Sequence, residues 1–445
     1  MRITEHLDKI SWSLADKSTY VLYGIASIVV LKITNDIEFG IFTLFNQLHN
    51  LILSVSDAFA LQSVLQFSAV ESEKPKVNFI AMLNHIIIVT LLVLLVLLFK
   101  TTLADVFNQP QIINIANALP LLALFSIPRY FCARLLYREL KIFKLFLTNL
   151  AYFGSMSAII FYCFWKNIFL HSHDIINITY LGAAIATIVS IIVTFRYWKF
   201  SFKGATKYTE VVKFSTKYAA TGFVLSLPKY FDTFLIQFFY GTSVVGLYGA
   251  AKNIFRFVDE AINTAYSLIY APTVKFISLG DGKSLNSLTT KTISLLIIVF
   301  FMATTLCFLG VSDYFGHFLS GKFSEAIPIF NMLMLSSILL PITVLNTTIS
   351  AGGKPEIVAK YVLASFPIWI AVFLFIGNFY PENVLLIPAP YFAFLLVFST
   401  LLFRYANKNF DFRFVQLFRI IPDAVNLVKN YMNKTNQIKI INQKF

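Results

Sequence analysis

The sequence predicts an all-α polytopic membrane protein whose twelve transmembrane helices form two lobes of six. The 445 residues are 58% hydrophobic and only 13% charged, with a mean hydropathy of +0.73. Apolar stretches long enough to cross a membrane recur along the whole chain, and the basic residues favour one side of them. A water-soluble domain of this length needs a more polar surface. Soluble enzymes and nucleic-acid-binding domains are therefore excluded.

Twelve apolar stretches define the predicted membrane spans. They are too long for the strands of a membrane β-barrel and lack the alternation of polar and apolar residues that such strands show. The spans are 12–33, 39–67, 79–99, 112–130, 145–165, 177–197, 216–240, 244–271, 289–311, 325–350, 357–377 and 384–404. The first, second, seventh and eighth are the least apolar, because they carry charges or amides.

The distribution of Lys and Arg orients these spans. With the N-terminus on the cytoplasmic side, 28 of the 36 basic residues lie at or beyond the inner ends of the spans. Only three (Lys100, Lys166 and Lys322) lie in outer loops. A span missing or added early in the chain would destroy this asymmetry, so the positive-inside rule predicts twelve spans with both termini cytoplasmic. It also explains most of the net charge of +14 without a nucleic-acid partner.

The domain organisation follows from the two equal halves. Residues 1–200 form the predicted N-terminal lobe and residues 201–404 the C-terminal lobe, joined by a basic linker. Residues 405–445 form a basic cytoplasmic tail, in which 410–432 alternates apolar and basic residues at helical spacing, as in an interfacial amphipathic helix. The three cysteines lie singly in apolar runs and predict neither disulfides nor a metal site.

An internal repeat relates the halves at a shift of 206 residues. It brings Phe39-Gly40-Ile41-Phe42 onto Val245-Gly246-Leu247-Tyr248, each at the start of the second helix of its half. Polar residues follow at matching offsets on one helical face, which predicts a polar stripe in each half. The paired positions are Asn46 with Lys252, Asn50 with Arg256, Ser54 with Glu260, and Asp57 with Asn263.

Charged residues inside the spans mark the predicted functional region. A charge near the bilayer centre costs at least about 2.5 kcal/mol, so such residues tend to face a wet cavity. Those away from the span ends lie on spans 1, 2, 7 and 8, and the other eight spans are nearly free of charge in their central turns, which predicts a central cavity lined by these four helices. The set is Asp16, Lys17, Lys32, Asp57, Lys229, Asp232, Lys252, Arg256, Asp259 and Glu260.

Two interpretations of these charges stay open. Lys229 with Asp232 and Arg256 with Glu260 have the i, i+3 and i, i+4 spacings of ion pairs, so they could serve only to neutralise each other. Alternatively, the cations contact an anionic head group while the acids take up a coupling ion. Asp57 has no cation within one helical turn in the sequence, which suits ion coupling, although an amide or hydroxyl partner is the alternative. No metal site, resident cofactor or catalytic combination is predicted.

Several short motifs resemble those of one membrane family. They are Leu14-Ala-Asp-Lys17 through Gly24, Glu38-Phe-Gly-Ile-Phe-Thr-Leu44, its second copy Val245-Gly-Leu-Tyr-Gly-Ala-Ala251, and Ala351-Gly-Gly-Lys354. Over residues 8–405 the chain resembles the polysaccharide flippases of the multidrug/oligosaccharidyl-lipid/polysaccharide exporter superfamily, especially the Wzx-type O-antigen flippases. The resemblance implies a MATE-like fold of two six-helix lobes with pseudo-twofold symmetry, working by alternating access in the bacterial inner membrane.

The resemblance also implies a substrate and a site. The expected substrate is an undecaprenyl-diphosphate-linked oligosaccharide, with membrane lipids around it and a polysaccharide polymerase and chain-length regulator as expected partners. Lys17, Lys229, Lys252 and Arg256 would contact the head group. Asp57, Asp232, Asp259 and Glu260 would serve ion coupling or pairing, driven by a proton or sodium gradient. The acids on span 8 depart from a purely cationic cavity.

Two other functions are alternatives to a flippase. An ion-coupled exporter of small organic cations would share the fold, but it would favour acids and aromatics in the cavity over four cations. A membrane enzyme, such as an O-antigen polymerase or an acyltransferase, would need a sizeable outer loop or a reactive histidine. The outer loops are short, and the only histidine pair, in His171-Ser-His-Asp174, lies in an outer loop. The sequence therefore favours a transporter.

Overall fold

The computed structural model describes residues 4–67, 71–319, 321 and 323–413, without the side chains of 4–10, 217–226, 229, 267, 271 and 315. Twelve long helices, here named α1 to α12, account for most of these residues, and each overlaps one predicted span. The first six are α1 (Thr4–Val30), α2 (Asp36–Ser56, continued to Gln66), α3 (Lys74–Leu98), α4 (Gln111–Arg138), α5 (Ile142–Asn149, continued to Trp165) and α6 (Ser172–Thr194).

The remaining six helices include the two longest. They are α7 (Tyr208–Tyr240), α8 (Thr242–Ser278), α9 (Gly282–Leu306, continued to Phe318), α10 (Ala326–Ser337, continued to Ala351), α11 (Pro355–Phe379) and α12 (Ala389–Phe410). Because α12 runs to Phe410, it takes up the first residues of the predicted tail. Residues 414–445, which hold most of the predicted amphipathic helix, lie outside the described part.

Among the described residues, eight helices are long and apolar enough to cross a membrane, and α10 is a ninth if its two segments, bent by 50°, form one span. The bend in α10 lies beside Pro341, whose ring cannot continue a regular helix. The three helices that miss this measure are α1, α7 and α8. These are long enough to span but carry intramembrane charges, as the sequence predicted, so their lower hydropathy reflects the site that they build.

Local chemistry sets the ends of the helices that line the site. The side chain of Asn35 accepts a hydrogen bond from the Glu38 amide and caps the start of α2. A single residue, Gly241, separates α7 from α8. Its φ of +82° lies in a region that favours glycine and allows the chain to reverse within one residue.

The contact between α2 and α8 is the most extensive helix pair in the described part. It is closest at the ends where both helices begin, hereafter the closed end. A Cβ atom on Gly40 would collide with the carbonyl oxygen of Thr242, and one on Gly246 would collide with the carbonyl oxygen of Asp36. The two glycines that the repeat aligns therefore meet backbone to backbone. Across the predicted halves, α1 and α2 also pack against α8 and α7, respectively.

At the opposite end, the linker between α6 and α7 is held by α3 and α4. Glu73 accepts hydrogen bonds from the amides of Ala205 and Thr206. Glu139 accepts from Lys74 Nζ at 3.0 Å and from Arg138 Nε at 2.9 Å. Although burial opposes it, this pair of cationic donors holds the pKa of Glu139 below its usual range.

Candidate functional site

A cavity of about 550 Å³ lies between α1, α2, α4, α5, α7 and α8. The prediction of four lining helices was therefore incomplete, since α4 and α5 supply much of one wall. Phe39, Phe42 and Thr43 bound the cavity at the closed end, where Gly249 packs against Thr43. Asp57 lies about 21 Å beyond Thr43 along the axis of α2. The cavity therefore extends from the glycine contact toward the opposite end of the helices.

Helix α4 contributes two arginines that the sequence placed at or beyond the inner end of the fourth predicted span. The predicted span ended at residue 130, whereas the helix continues to Arg138. Arg129 and Arg134 therefore lie on the helix and line the cavity. A signal for this was present, because Tyr130, Arg134 and Tyr137 recur at i, i+4 and i+7 with no glycine or proline between them. Hydropathy falls at Arg129, so the continuation of the helix does not show in a hydropathy profile.

Asp57 is paired with a cation on another helix, although the sequence shows no cation within one helical turn of it. Arg134 Nε donates to Asp57 Oδ1 at 2.8 Å, a second guanidinium nitrogen bonds Oδ2, and Gln62 adds a donor at 3.0 Å. This two-point contact between a guanidinium and a carboxylate is the strongest common type of ion pair. The sequence could not show it, because Arg134 is 77 residues away and on another helix. A π-helical turn begins at Asp57 and aims its side chain at α4.

Arg129 has a different environment. Its guanidinium lies 3.9 Å from the ring centre of Tyr152 and within 3.4 Å of Asn149 Oδ1. In the part of the chain that the structure describes, no carboxylate lies within ion-pair distance of it. A cation over an aromatic face is stabilised by the negative charge of that face. Arg129 thus lines the cavity without an ion pair to any described carboxylate.

On α8, Lys252 lines the cavity and also bonds a buried acid behind the wall. Its Nζ lies 2.8 Å from Asp232 Oδ2, which also accepts from the Tyr248 hydroxyl at 2.6 Å. The amide and hydroxyl of Thr233 donate to Oδ1. Asp232 is 3% exposed and does not line the cavity. The predicted partner Lys229 has its side chain outside the described residues.

Arg256 lies one helical turn beyond Lys252. The predicted pair with Glu260 is wrong, because Glu260 bonds Lys17 of α1 at 3.4 Å, which joins α1 to α8. Arg256 instead donates to Asn253 Oδ1 at 3.1 Å and lies 5.5 Å from the ring centre of Tyr23. No carboxylate within the described ranges forms an ion pair with it. Asp259 also lines the cavity. Lys17 contacts two residues of the cavity wall, since it bonds Glu260 and lies 5.5 Å from the ring centre of Tyr20.

The two polar stripes of the repeat lie where the sequence placed them. Seven of the eight repeat-aligned positions line the cavity, from Asn46, Asn50 and Asp57 on α2 to Asn263 on α8. The side chain of Ser54 instead bonds the hydroxyl of Tyr230 at the cavity wall. The shift of 206 residues thus superposes two wall-lining faces that meet at the closed end.

Aromatic side chains form the rest of the wall. Tyrosine phenols combine an apolar face with a hydrogen-bonding hydroxyl, so they can contact a sugar ring on its face and at its edge. This group could not be predicted from the sequence, because only the packing of four helices brings it together. The six tyrosines are Tyr20, Tyr23, Tyr130, Tyr137, Tyr152 and Tyr230.

The cavity is thus charged, aromatic and closed at one end, and it lies among helices of a membrane protein. Comparison with known protein families identifies the family of this chain. A model for a family described as "Polysaccharide biosynthesis protein" matches residues 29–328. The match covers more than half of the chain, so the protein belongs to this family. No curated protein sequence matches it.

Solved structures share the fold at low sequence identity. A multidrug resistance MATE family transporter of the MOP superfamily, in an inward-facing conformation, is 11% identical with a TM-score of 0.75, over 88% of this chain and 94% of that chain. The lipid II flippase MurJ, in an inward closed conformation, is 16% identical with a TM-score of 0.68, over 95% and 93%. A MOP superfamily transporter from Pyrococcus furiosus Vc1 (DSM3638) is 10% identical with a TM-score of 0.54, over 91% and 94%.

These comparisons confirm the predicted fold class and family. The protein is an all-α, MATE-like polytopic membrane protein of the polysaccharide biosynthesis family. The solved structures that share its fold are described as transporters and as a flippase. Three predictions stay untested: the boundaries of the lobes at 200 and 404, the roles of the individual site residues, and the proton or sodium gradient.

Proposed function

We propose that this protein moves an undecaprenyl-diphosphate-linked oligosaccharide, an O-antigen or similar surface-polysaccharide repeat unit, from the inner to the outer leaflet by alternating access. Membership of a polysaccharide biosynthesis family supports the pathway. The likeness to a lipid II flippase supports a lipid-linked substrate. The cavity supports an anionic head group, because it combines cations with aromatic faces.

The observation that carries this proposal is the pair of unneutralised arginines. Arg129 on α4 and Arg256 on α8 both line the cavity, each held by an amide oxygen and a tyrosine face and by no described carboxylate. A guanidinium presents a fork of donors that matches phosphate oxygens. An anion between them would gain charge-assisted hydrogen bonds at two points. Tyr20, Tyr137 and their aromatic neighbours would then surround the sugars.

The location that this function requires agrees with the charge distribution. We propose that the protein lies in the bacterial inner membrane with both termini cytoplasmic, because 28 of 36 basic residues then lie on the inner side. The closed end of α2 and α8 is then the outer end, and the cavity receives substrate from the cytoplasmic side. A polymerase and a chain-length regulator are the partners that such a pathway supplies.

Ion coupling is part of the proposal. The carboxylates available are Asp57, Asp232, Asp259 and Glu260, with a proton or sodium gradient as the source of energy. We assign the leading role to Asp57, because a proton or ion on this carboxylate would release Arg134 into the cavity. Glu260 would act similarly on Lys17.

An ion-coupled exporter of small organic cations is the second candidate, favoured by the acids that line the cavity. The pairing of Asp57 and Glu260 with cations weakens it, since neither carboxylate is left to bind a cationic drug. A strain that expresses the protein should gain no resistance to ethidium if the flippase assignment holds. A membrane enzyme is the least supported alternative.

Flipping in proteoliposomes tests the proposal. A fluorescent undecaprenyl-diphosphate-linked oligosaccharide should cross the bilayer when wild-type protein is present, and Arg129→Gln with Arg256→Gln should abolish the crossing. Arg404→Gln with Arg413→Gln removes the same charge from exposed positions and should flip normally. Wild-type protein that leaves the lipid in its original leaflet, or a fully active Arg129/Arg256 variant, would contradict the proposal.

A further inference from the structure

Lys252 contacts two environments at once. Its side chain lines the cavity, yet its ammonium bonds Asp232, which lies behind the wall and is 3% exposed. The corresponding pair on α4 differs, because Asp57 lines the cavity together with its partner Arg134. Lys252 is therefore the cavity cation whose bonded carboxylate is shielded from the substrate.

Asp232 has donors that do not depend on Lys252. Thr233 supplies two hydrogen bonds to Oδ1, at 2.6 and 3.1 Å, and the Tyr248 hydroxyl supplies one to Oδ2 at 2.6 Å. A carboxylate that loses its cation but keeps three donors stays largely compensated. The bond from Lys252 can thus be exchanged at lower cost than in an isolated buried pair, in which removal of one partner leaves an uncompensated buried charge.

We propose that Lys252 is an exchangeable cation, which Asp232 holds in the empty cavity and releases to the anionic head group of the substrate. This inference rests on the proposed function and adds a positioning role for Asp232. In the empty protein the pair avoids an unpaired ammonium within the membrane. When a diphosphate enters between Arg129 and Arg256, the Lys252 ammonium rotates from Asp232 to a phosphate oxygen, while Tyr248 and Thr233 keep the carboxylate bonded.

The exchange makes Asp232 an internal competitor of the substrate. A ligand that needs the released form of Lys252 has an apparent affinity equal to its intrinsic affinity multiplied by the fraction of time for which that form is present. If Asp232 holds Lys252 for about nine-tenths of the time, removal of its charge should tighten binding about tenfold. An acid with a purely structural role would give the opposite sign, because its loss would disorder the wall and weaken binding.

Calorimetric titration of the purified full-length protein with inorganic pyrophosphate measures this competition. Asp232→Asn keeps the shape of the side chain and should bind pyrophosphate about tenfold more tightly than the wild type. Lys252→Met should bind more weakly, and Asp232→Asn added to Lys252→Met should restore little affinity. This double-mutant cycle separates release of Lys252 from a general gain in positive potential, because a general gain would persist without Lys252.

The outcomes distinguish the exchange from the proposed function. Equal or weaker binding by a well-folded Asp232→Asn protein, with the wild type still binding, would overturn the exchange alone. An equal gain with and without Lys252 would also overturn it. No binding by either protein would overturn the head-group site as well. Binding by Asp232→Asn alone would support the exchange in its strongest form.

A second variant keeps the test decisive if Asp232→Asn fails to fold. Tyr248→Phe removes one donor from Asp232 without a change of charge, so Asp232 should hold Lys252 more tightly. Pyrophosphate affinity should then fall several-fold, in the direction opposite to that of Asp232→Asn. Unchanged or tighter binding by Tyr248→Phe would contradict the exchange.

Discussion

Two walls of the cavity carry cations in the same arrangement, but the acids paired with these cations are buried to different extents. Helix α4 presents Arg134, which is paired with Asp57, and Arg129, which rests on Tyr152. Helix α8 presents Lys252, which is paired with Asp232, and Arg256, which lies near Tyr23. Each wall thus has one neutralised cation and one cation held by an aromatic ring.

The difference lies in the acids. The side chain of Asp57 is 20% exposed and faces the cavity, whereas that of Asp232 is 5% exposed and lies behind the wall. An acid that faces the cavity is accessible to ions, and a buried acid can act only through its lysine. The comparison indicates that intramembrane charge alone does not define a substrate contact. The partner and its burial decide which cations are available to an anion.

The largest expected effect is on the free energy of unfolding, and it should differ between the Lys252–Asp232 and Arg134–Asp57 pairs. Lys252→Met leaves a buried carboxylate without its cation and should cost up to about 3–5 kcal/mol, reduced by the remaining donors. Arg134→Gln leaves Asp57 partly hydrated and should cost less. Thermal unfolding of both variants measures the difference, with Asp232→Asn in the Lys252→Met background as the control that recovers stability. Equal losses of stability in Lys252→Met and Arg134→Gln would contradict the difference in burial between Asp232 and Asp57.

The closed end, where the walls meet, should be the next most sensitive. Gly40→Ala places a methyl group against the carbonyl oxygen of Thr242, and a clash of this kind typically costs about 1–3 kcal/mol. The ends of α2 and α8 must then separate. A cysteine introduced at Ser243 should react faster with a membrane-impermeant thiol reagent applied from outside. Gly282→Ala, at an open position, is the matched control, and equal labelling of the two variants would contradict a tight seal.

A moderate effect is expected at the accessible acid. Asp57→Asn should lower flipping several-fold and weaken its dependence on the transmembrane pH gradient, because the carboxylate that would take up the ion is gone. Asp281→Asn, which changes an acid in the α8–α9 turn, should leave that dependence intact. Flipping rates in proteoliposomes at several gradients provide the measurement. Transport by Asp57→Asn that follows the gradient as in the wild type would refute ion coupling there.

The smallest effect concerns a carboxylate away from the cavity. Because the folded state depresses the pKa of Glu139, its contribution to stability is present above the unfolded pKa near 4.5 and is lost as pH falls through the folded value. Glu139→Gln should lower the melting temperature by about 2 °C at pH 7 and by less at pH 4. A loss of equal size at both pH values would assign the effect to packing.

The sequence predicted the fold and the acids and cations of α2 and α8, because hydropathy, charge asymmetry and helical spacing are local patterns. The repeat aligned Gly40 with Gly246, and the structure brings these two glycines into backbone contact. The sequence missed Arg129 and Arg134, since a charged helix end resembles a loop in a hydropathy profile. The partners of Asp57 and Glu260 also could not be predicted, because each lies on a different helix. Such pairs depend on tertiary packing, which spacing along one helix does not encode.

Binding of the lipid carrier tests the central claim most directly. Native mass spectrometry of the purified protein should detect undecaprenyl diphosphate at least tenfold more tightly bound than undecaprenol, which has the same chain and no phosphate. The preference should disappear in Arg129→Gln with Arg256→Gln and persist in Arg404→Gln with Arg413→Gln. Equal binding of the two lipids by the wild-type protein would contradict a cavity built for an anionic head group.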